Sequence, residues 1–409
     1  MNKANILNDL FLKLQLSDMP WKEAARLVQE HKECLENDNI DDVYFSLFVG
    51  GNELKIPEWK NKTLLSCVLL YLVWYRLARR SVSWHEGGEI LMPKIAAVSK
   101  LEVVVGRCAR CFREGGDAVY EMVLAILFFA KGDYKEASKV CARVRLKGYP
   151  VDAPFRSFFS GVNTFFYDDF YSSAAVSNEE FAFDRASLLE VVSSVSVCLV
   201  SCDQGYFEKF SGEFLSTMRS TSLRFPVIFF VIGERDGWEE LGNGGYVFYV
   251  RPSYSLEPAL YASFRYLVAQ FIIDNSEANV FVFDIDFLFT EEISDNMELM
   301  VSNSDLSLTM HGYGVRSITP WTRVSAPLSY FSNSLCSSVF LSNYVGYWRS
   351  AWLKSDFKWW IDQNALFSSY LYVSRCFPSA KVMNVFDVAN RGVSNNRDGV
   401  LEYKLKHRV

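Results

Sequence analysis

The sequence predicts an α/β domain preceded by an all-helical region. Up to about residue 185, apolar residues recur three or four positions apart, which is the spacing of one helix face. Beyond that point, short β-branched and apolar runs alternate with longer amphipathic segments. Strands interleaved with helices form a mostly parallel, twisted sheet with helices on its faces. We therefore predict a helical domain over residues 1–185 and an α/β domain over residues 186–409.

The helical domain is predicted from a proline at a helix start and from four further periodic segments. Pro20 follows a Ser-Asp cap and opens an amphipathic run. Further helices are predicted near residues 62–80, 94–113, 117–131 and 134–147. Gly132 and Asp133 form the turn between the last two, and Pro150 ends the pair. This pair resembles a tetratricopeptide unit, and a plain helical bundle is the alternative interpretation.

The α/β domain opens with a β-branched strand and continues as alternating strands and helices. The predicted strands are Ser194–Ser201, Val227–Gly233, Tyr246–Val250 and 279–286. The predicted helices between them cover residues 206–219 and 257–275. The carboxyl ends of parallel strands share one edge of a sheet, and ligands of such folds bind along that edge. Side chains that directly follow these strands are therefore the candidate site residues.

Two aspartates end the last predicted strand. Asp284 and Asp286 follow a run of apolar residues and stand one residue apart. Side chains at positions i and i+2 of an extended chain point to the same face, so both carboxylates are expected to reach one point. Paired carboxylates at such a place suit a hard divalent cation that also holds phosphate oxygens. The alternative is that both aspartates cap the next helix.

This stretch resembles the Asp-x-Asp site of GT-A-type glycosyltransferases, which use nucleotide sugars. The resemblance covers roughly residues 190–409 and implies a GT-A-like fold. It also implies that Mn²⁺ or Mg²⁺, bound by Asp284 and Asp286, neutralises the departing diphosphate. The implied reaction moves a sugar from a nucleotide-sugar donor to a hydroxyl of a protein, peptide or glycan. A UDP-sugar is the first candidate donor. The helical domain would then bind the acceptor or a partner.

Four further residues resemble donor-binding positions of these enzymes. Ser201 and Asp203 follow the first strand, where the nucleotide base and ribose bind, although Asp203 is equally well placed to cap the next helix. Arg265 lies on the helix before the Asp-x-Asp strand, where the resemblance implies a contact with the donor. Asn333 resembles a residue that holds the transferred sugar, but a serine is inserted before it and no glycine follows.

The segment Trp359-Trp360-Ile361-Asp362-Gln363 resembles the catalytic element of retaining members of this family. Asp362 and Gln363 are therefore the predicted catalytic residues, and the tryptophans are a candidate floor for a sugar ring. We expect the helix N-terminus to keep Asp362 ionised. Retention and inversion both stay open, because Asp362 also suits the base of an inverting enzyme.

Histidines are the remaining metal-ligand candidates. The resemblance implies a third ligand from the C-terminal segment, for which His407 is the candidate. His311, on a predicted loop after the Asp-x-Asp stretch, is the competing one. A basic tail without a ligand role is the alternative for the terminal segment.

Composition and missing motifs argue against other classes. A net charge of −6 and a pI near 5.5 disfavour a nucleic-acid partner. The most apolar helix candidate, Leu64–Ala78, is too short to span a bilayer. No secretory signal precedes the nine cysteines, so reduced thiols and a cytoplasmic location are expected. Phosphate-binding glycine loops and a serine-hydrolase elbow are absent from the sequence. The alternative functions are an inactive adaptor that acts through its helical domain and a glycosyltransferase that modifies nucleic acid.

Overall fold

The fold is known from a computed structural model. It describes residues 26, 30, 62–78, 95–112, 117–149, 156–168, 171, 175–192, 196–312 and 315–392. Most of the helix predicted to start at Pro20, and the C-terminal segment that contains His407, lie outside these residues. Within the described residues, no helix combines the length and the hydropathy needed to cross a bilayer.

The chain divides into two compact units. The first groups the helical region up to Tyr167 with the segment His311–Arg323. The second groups Asp168–Met310 with the chain from Val324 onward and contains the sheet. The predicted division at residue 185 differs from this pattern at two places, and each has a physical cause described below.

The described helices of the first unit match the predicted positions closely. They are α1 (Lys62–Ala78), α2 (Ile95–Cys108), α3 (Ala118–Lys131), α4 (Tyr134–Lys147) and α5 (Arg156–Phe159). The Asp117 carboxylate accepts the Tyr120 N–H at 2.8 Å and so caps α3. Gly132 ends this helix with a left-handed φ of 76°, and Asp133 caps α4. Because these caps lie next to the helices in the sequence, the helix pair could be predicted from the sequence.

A segment from between two strands completes the core of the helical unit. Trp321 is fully buried, and its ring lies 5.6 Å from Phe129 and 6.1 Å from Phe165 between centroids. Gly161 lies against the indole, since a Cβ there would be 2.1 Å from Trp321 Cγ. Arg323 is buried too and donates to the Tyr134 hydroxyl at 3.3 Å. Residues His311–Arg323 therefore belong to the helices although the sequence places them among strands.

The second unit is α/β. Its strands are β1 (Phe181–Ala182), β2 (Ser196–Cys202), β3 (Val227–Ile232), β4 (Trp238–Gly242), β5 (Gly245–Pro252), β6 (Asn279–Phe283), β7 (Leu306–Met310), β8 (Val324–Phe331) and β9 (Val382–Asn384). Its helices are α6 (Arg185–Val191), α7 (Gln204–Arg219), α8 (Pro258–Asn275), α9 (Glu291–Asn303), α11 (Leu335–Lys354), α12 (Ile361–Cys376) and α13 (Phe386–Gly392). The short helix α10 (Pro320–Arg323) belongs to the other unit.

The nine described strands form one mixed sheet in the order β1-β5-β3-β2-β6-β8-β7-β9, with β4 paired to β5. Its centre is parallel, because β5, β3, β2 and β6 all run in one direction. Every residue of β2 and β3 is buried, as expected for strands covered on both faces. Strand β8 lies antiparallel to both β6 and β7, and β9 runs parallel to β7. The predicted mostly parallel α/β sheet with flanking helices is thus confirmed.

Residues just before position 185 are held by the sheet unit. Strand β1 pairs antiparallel with β5, and Phe181 is fully buried with its ring 4.8 Å from that of Phe264. Glu180 accepts hydrogen bonds from Arg349 Nε at 2.7 Å and from the Tyr254 hydroxyl at 2.9 Å. Burial alone would raise the pKa of Glu180, but these hydrogen bonds lower it to about 2. This stretch is therefore part of the α/β unit.

Three observed elements differ from the sequence prediction. The strand predicted over residues 279–286 ends at Phe283. The stretch after Asn333, for which no helix was predicted, is the 20-residue helix α11, capped by Ser334. The exposed hairpin strand β4 was not predicted, because its residues show no apolar run.

Candidate functional site

The candidate site lies at the carboxyl edge of the central strands. Strands β2 and β6 are parallel with Val200 opposite Phe283, so the next residues, Ser201 and Asp284, are neighbours across the sheet. Strand β8 enters at this same edge, since it runs antiparallel to β6 and pairs Leu328 with Phe283. This is the edge at which open α/β sheets bind ligands.

Asp284 begins a tight turn rather than continuing the strand. Its N–H donates to Pro327 O at 3.1 Å, and its carbonyl accepts the Phe287 N–H at 3.1 Å. Ile285 and Asp286 are thus the central residues of a hydrogen-bonded turn. The argument that strand alternation points both carboxylates to one face fails here, because the strand has already ended. Asp286 is only 4% exposed, whereas the Asp284 side chain is 39% exposed.

A buried arginine holds the Asp284 carboxylate. Arg265 Nη1 lies 2.6 Å from Asp284 Oδ1, and the Arg265 side chain is 2% exposed. Its guanidinium also donates to Phe283 O at 2.6 Å and to Ala326 O at 3.0 Å, which joins the ends of β6 and β8. Burial alone would lower the pKa of Arg265, but Asp284 raises it, so the guanidinium stays charged.

This burial changes the predicted role of Arg265. A guanidinium that is enclosed and bonded to two main-chain carbonyls has little surface left for a donor molecule. The predicted contact between Arg265 and the donor therefore does not fit the structure. Arg265 positions Asp284 instead, by fixing one carboxylate oxygen and leaving the rest of the group partly exposed.

Asp362 belongs to the same electrostatic cluster. It is the second residue of α12 and is 8% exposed. Its charge raises the pKa of Arg265, and the charge of Asp284 in turn raises the pKa of Asp362. Burial raises the pKa of Asp362 to about 6, against the lowering effects of Arg265 and of the Gln363 N–H. Desolvation therefore outweighs the groups that favour the ionised form, although a carboxyl with this pKa is still mostly ionised at pH 7.

Two tyrosines complete this cluster, and the sequence interpretation missed both. The Tyr266 hydroxyl donates to Ala326 O at 3.2 Å, and its ring lies 4.9 Å from that of Tyr344. Burial raises the pKa of both tyrosines, and Asp362 adds to this effect in each. Tyr266 directly follows Arg265 in the sequence, so it could have been predicted as a candidate site residue. Tyr344 lies within α11 with no local signal.

Ser201 and Asp203 lie at the correct edge, and their side chains are engaged with the protein. The Ser201 hydroxyl donates to Tyr261 O and accepts the Arg265 N–H at 3.2 Å. The Asp203 carboxylate accepts the Tyr206 N–H at 2.8 Å and caps α7. The helix-cap interpretation of Asp203 is therefore confirmed, and a contact with a nucleotide stays a prediction.

Asn333 lies at the wrong end of the sheet for its predicted role. Its N–H donates to Asn279 Oδ1 at 2.9 Å, and its amide donates to Ser276 O at 2.6 Å. Asn279 is the first residue of β6, whereas Asp284 follows the last one. The five residues of β6 separate the two by about 16 Å. The sequence could not show that β8 runs antiparallel to β6, which places Asn333 on the opposite edge.

The described residues supply part of a divalent-cation site. Asp284 offers partly exposed carboxylate oxygens, the ligands that Mg²⁺ and Mn²⁺ prefer, whereas Asp286 is too buried to offer much surface. No three His, Cys, Asp or Glu side chains gather as a metal site in the part of the chain that the structure describes. Asp284 is thus the carboxylate of the Asp-x-Asp stretch that has surface to offer a cation.

Of the two histidine candidates, only His311 lies among the described residues. His311 groups with the helical unit, where burial and the nearby Arg316 lower its pKa to about 4. A buried imidazole beside a guanidinium is a poor place for a second cation. His407 lies outside the described residues.

Comparison with protein-family models and with curated proteins finds no match to this chain. The chemistry of the site is therefore argued from its own residues. At the carboxyl edge of parallel strands, the buried Arg265 pairs with Asp284, and its charge also interacts with that of Asp362. Such a cluster can hold a metal-bound anion on Asp284, and Asp362 can exchange a proton near neutral pH.

Proposed function

We propose that the chain is a metal-dependent glycosyltransferase of the GT-A type that transfers a sugar from a nucleotide-sugar donor. A UDP-sugar is the first candidate for this donor. The acceptor would be a hydroxyl of a protein, peptide or glycan. The observation that carries this proposal is the cluster of Arg265, Asp284 and Asp362 at the carboxyl edge of the parallel strands. Three segments far apart in sequence contribute one charged side chain each, and two of the three charges are buried. Buried charges in such a crevice are more typical of a working site than of a stabilising core.

Mn²⁺ or Mg²⁺ is the proposed cofactor, held at Asp284. When bound, the ion would stabilise the negative charge of the leaving diphosphate. Arg265 serves this site by fixing the direction of the Asp284 carboxylate through an ion pair to Oδ1. Asp286 supports the turn from its buried position, so its proposed share in metal binding is minor.

Asp362 and Gln363 are the proposed catalytic residues. Gln363 is half-buried at the third position of α12, directly after Asp362, and suits hydrogen bonds to sugar hydroxyls. In the ionised form, Asp362 stabilises positive charge that develops on a sugar ring, and it can accept a proton from an acceptor hydroxyl. Its pKa of about 6 allows both protonation states near neutral pH. This feature is compatible with either stereochemical outcome.

The helical unit is the proposed binding module for the acceptor or a partner. The α3–α4 pair has the capped glycine turn and the close packing at Ala137 that resemble a tetratricopeptide unit. Reduced thiols suit the proposed cytoplasmic location, and no disulfide joins the described cysteines.

A thermal-shift panel of nucleotide sugars, run with and without Mn²⁺, tests this proposal. One donor class should stabilise the full chain only when the metal is present, by about 2.7 kcal/mol at 100 times its dissociation constant. The metal alone is the control for non-specific stabilisation. If no nucleotide sugar stabilises the chain in the presence of Mn²⁺, the glycosyltransferase proposal fails. The inactive adaptor then becomes the preferred function.

A further inference from the structure

Trp360 has a backbone conformation that bulky residues avoid. Its φ is 69° and its ψ is 11°, in the left-handed region, directly before α12. Among the described residues with positive φ, Trp360 is the only one that is neither glycine nor asparagine. The Ile361 N–H donates to Lys358 O at 3.2 Å, so Trp360 is the third residue of a hydrogen-bonded turn. Type II turns have this φ and ψ at their third residue, where glycine is the usual choice.

The two ends of this turn are anchored, which explains why the strain persists. Lys358 Nζ lies 3.0 Å from the Glu257 carboxylate and 4.8 Å from the centre of the Trp352 ring. At the other end, Ile361 is fully buried, and Trp360 O accepts the Asn364 N–H at 3.1 Å. These contacts on both sides of Trp360 oppose a change in its backbone conformation.

The turn leads into the start of α12, which contributes Asp362 to the cluster. Asp362 follows two residues after Trp360, and it is buried at the start of α12, close enough to Arg265 for their charges to interact. The direction in which the chain enters a helix sets which way the side chains of the first turn point. An extended conformation at Trp360 would rotate the first turn of α12 and carry Asp362 away from the guanidinium.

We propose that the left-handed backbone of Trp360 is a positioning device that aims Asp362 at the Arg265–Asp284 pair. This inference rests on the proposed function for its catalytic meaning, and it assigns Trp360 a role that does not require the indole to touch a substrate. A sequence optimised for stability alone would place glycine at this point. Trp360 is thus a positioning residue, and the strain in the turn maintains the site.

Substitutions that separate the backbone from the ring test this inference in the full chain. Trp360→Gly and Trp360→Asn keep access to the left-handed conformation, whereas Trp360→Val does not, because its branched Cβ excludes it. All three variants lack the indole, so a comparison among them isolates the backbone. We expect kcat of the Val variant to be at least about tenfold below that of the Gly and Asn variants, with the same KM for the donor in all three. Asn243→Val is the matched control, because Asn243 also has a positive φ of 52° but lies in the exposed β4–β5 hairpin.

A second readout does not depend on turnover. The Gln363 N–H lies close enough to the Asp362 carboxylate to lower its pKa, so the hydrogen exchange of this N–H reports whether Asp362 keeps its place. Exchange there should speed up at least about tenfold in Trp360→Val and stay unchanged in Trp360→Gly and in Asn243→Val. Equal exchange in the Val and Gly variants would overturn the positioning role, and so would equal loss of kcat in both. A wild-type chain without turnover would refute the proposed function alone, since the exchange comparison would still decide this inference.

Discussion

Replacing Asp362 by asparagine is expected to lower turnover at least about a hundredfold, which is about 2.7 kcal/mol of transition-state stabilisation. Asparagine keeps the shape of the side chain but carries neither a negative charge nor a removable proton. Nucleotide affinity should stay within about threefold, because Asp284 rather than Asp362 is the proposed metal ligand. A turnover assay with the active nucleotide sugar and a titration of the nucleotide measure these two quantities separately.

The same substitution should raise the free energy of unfolding at neutral and alkaline pH. The folded pKa of Asp362, about 6, lies above its ordinary value of 3.8, so its contribution is most favourable below pH 4 and is lost as the pH rises through 6. An asparagine side chain does not titrate and has no such dependence. The stability difference between the Asp362→Asn variant and the wild type should therefore grow from near zero at about pH 4 to about 2–3 kcal/mol at about pH 8.

Urea unfolding at both pH values measures this difference. Asp356→Asn is the control, because Asp356 is exposed in the loop just before the turn. Near-normal turnover in the Asp362→Asn variant, or a stability difference that does not change between the acidic and the alkaline condition, would contradict the role assigned to Asp362.

A chain shortened to begin at residue 186 is expected to be much less stable than one that begins at residue 168. Both lack the helices around Trp321, but only the shorter one also loses β1 and Glu180. Phe181 is fully buried, and loss of a buried phenylalanine side chain costs about 3–5 kcal/mol. Arg349 would in addition lose its carboxylate partner.

Urea unfolding of the two shortened chains checks this prediction, with the full chain as reference. Full-length Phe181→Ala serves as the matched control, because it removes the same ring while every helix is kept. Equal stability of the two shortened chains would mean that residues 168–185 are not part of the α/β unit and that the original division at residue 185 is correct.

The fold was predictable from sequence where local signals are strong. A β-branched, mostly apolar run predicted β2 and a fully apolar run predicted β3, and the helix α8 begins at a proline, Pro258. The α3–α4 pair was marked by Asp117, Gly132 and Asp133, whose roles as caps are local. In each case, the sequence pattern that predicts the element lies within the element or directly beside it.

Elements that depend on distant partners were not predictable. Nothing near Trp321 in sequence shows that its indole packs on helices more than 150 residues earlier. Asn333 was misplaced for a similar reason, since the direction of β8 depends on pairing with β6 and not on its own pattern. The site shows the same division: Asp284 and Asp362 were found from local motifs, but the burial of Arg265 and its pairing with Asp284 required the tertiary structure.

The central claim is that Asp284 holds a metal-bound nucleotide at the carboxyl edge of the sheet. Titration calorimetry of UDP in the presence of Mn²⁺ tests it on the wild type, on Asp284→Asn and on Asn333→Ala. Asparagine is preferred to alanine at position 284, because its carbonyl oxygen can still accept from Arg265 and so avoids leaving that buried guanidinium without an acceptor. We expect Asp284→Asn to weaken binding at least about a hundredfold, whereas Asn333→Ala, at the opposite edge, binds as the wild type does. Binding that is unchanged in Asp284→Asn, or that is lost in Asn333→Ala, would contradict the placement of the nucleotide at Asp284.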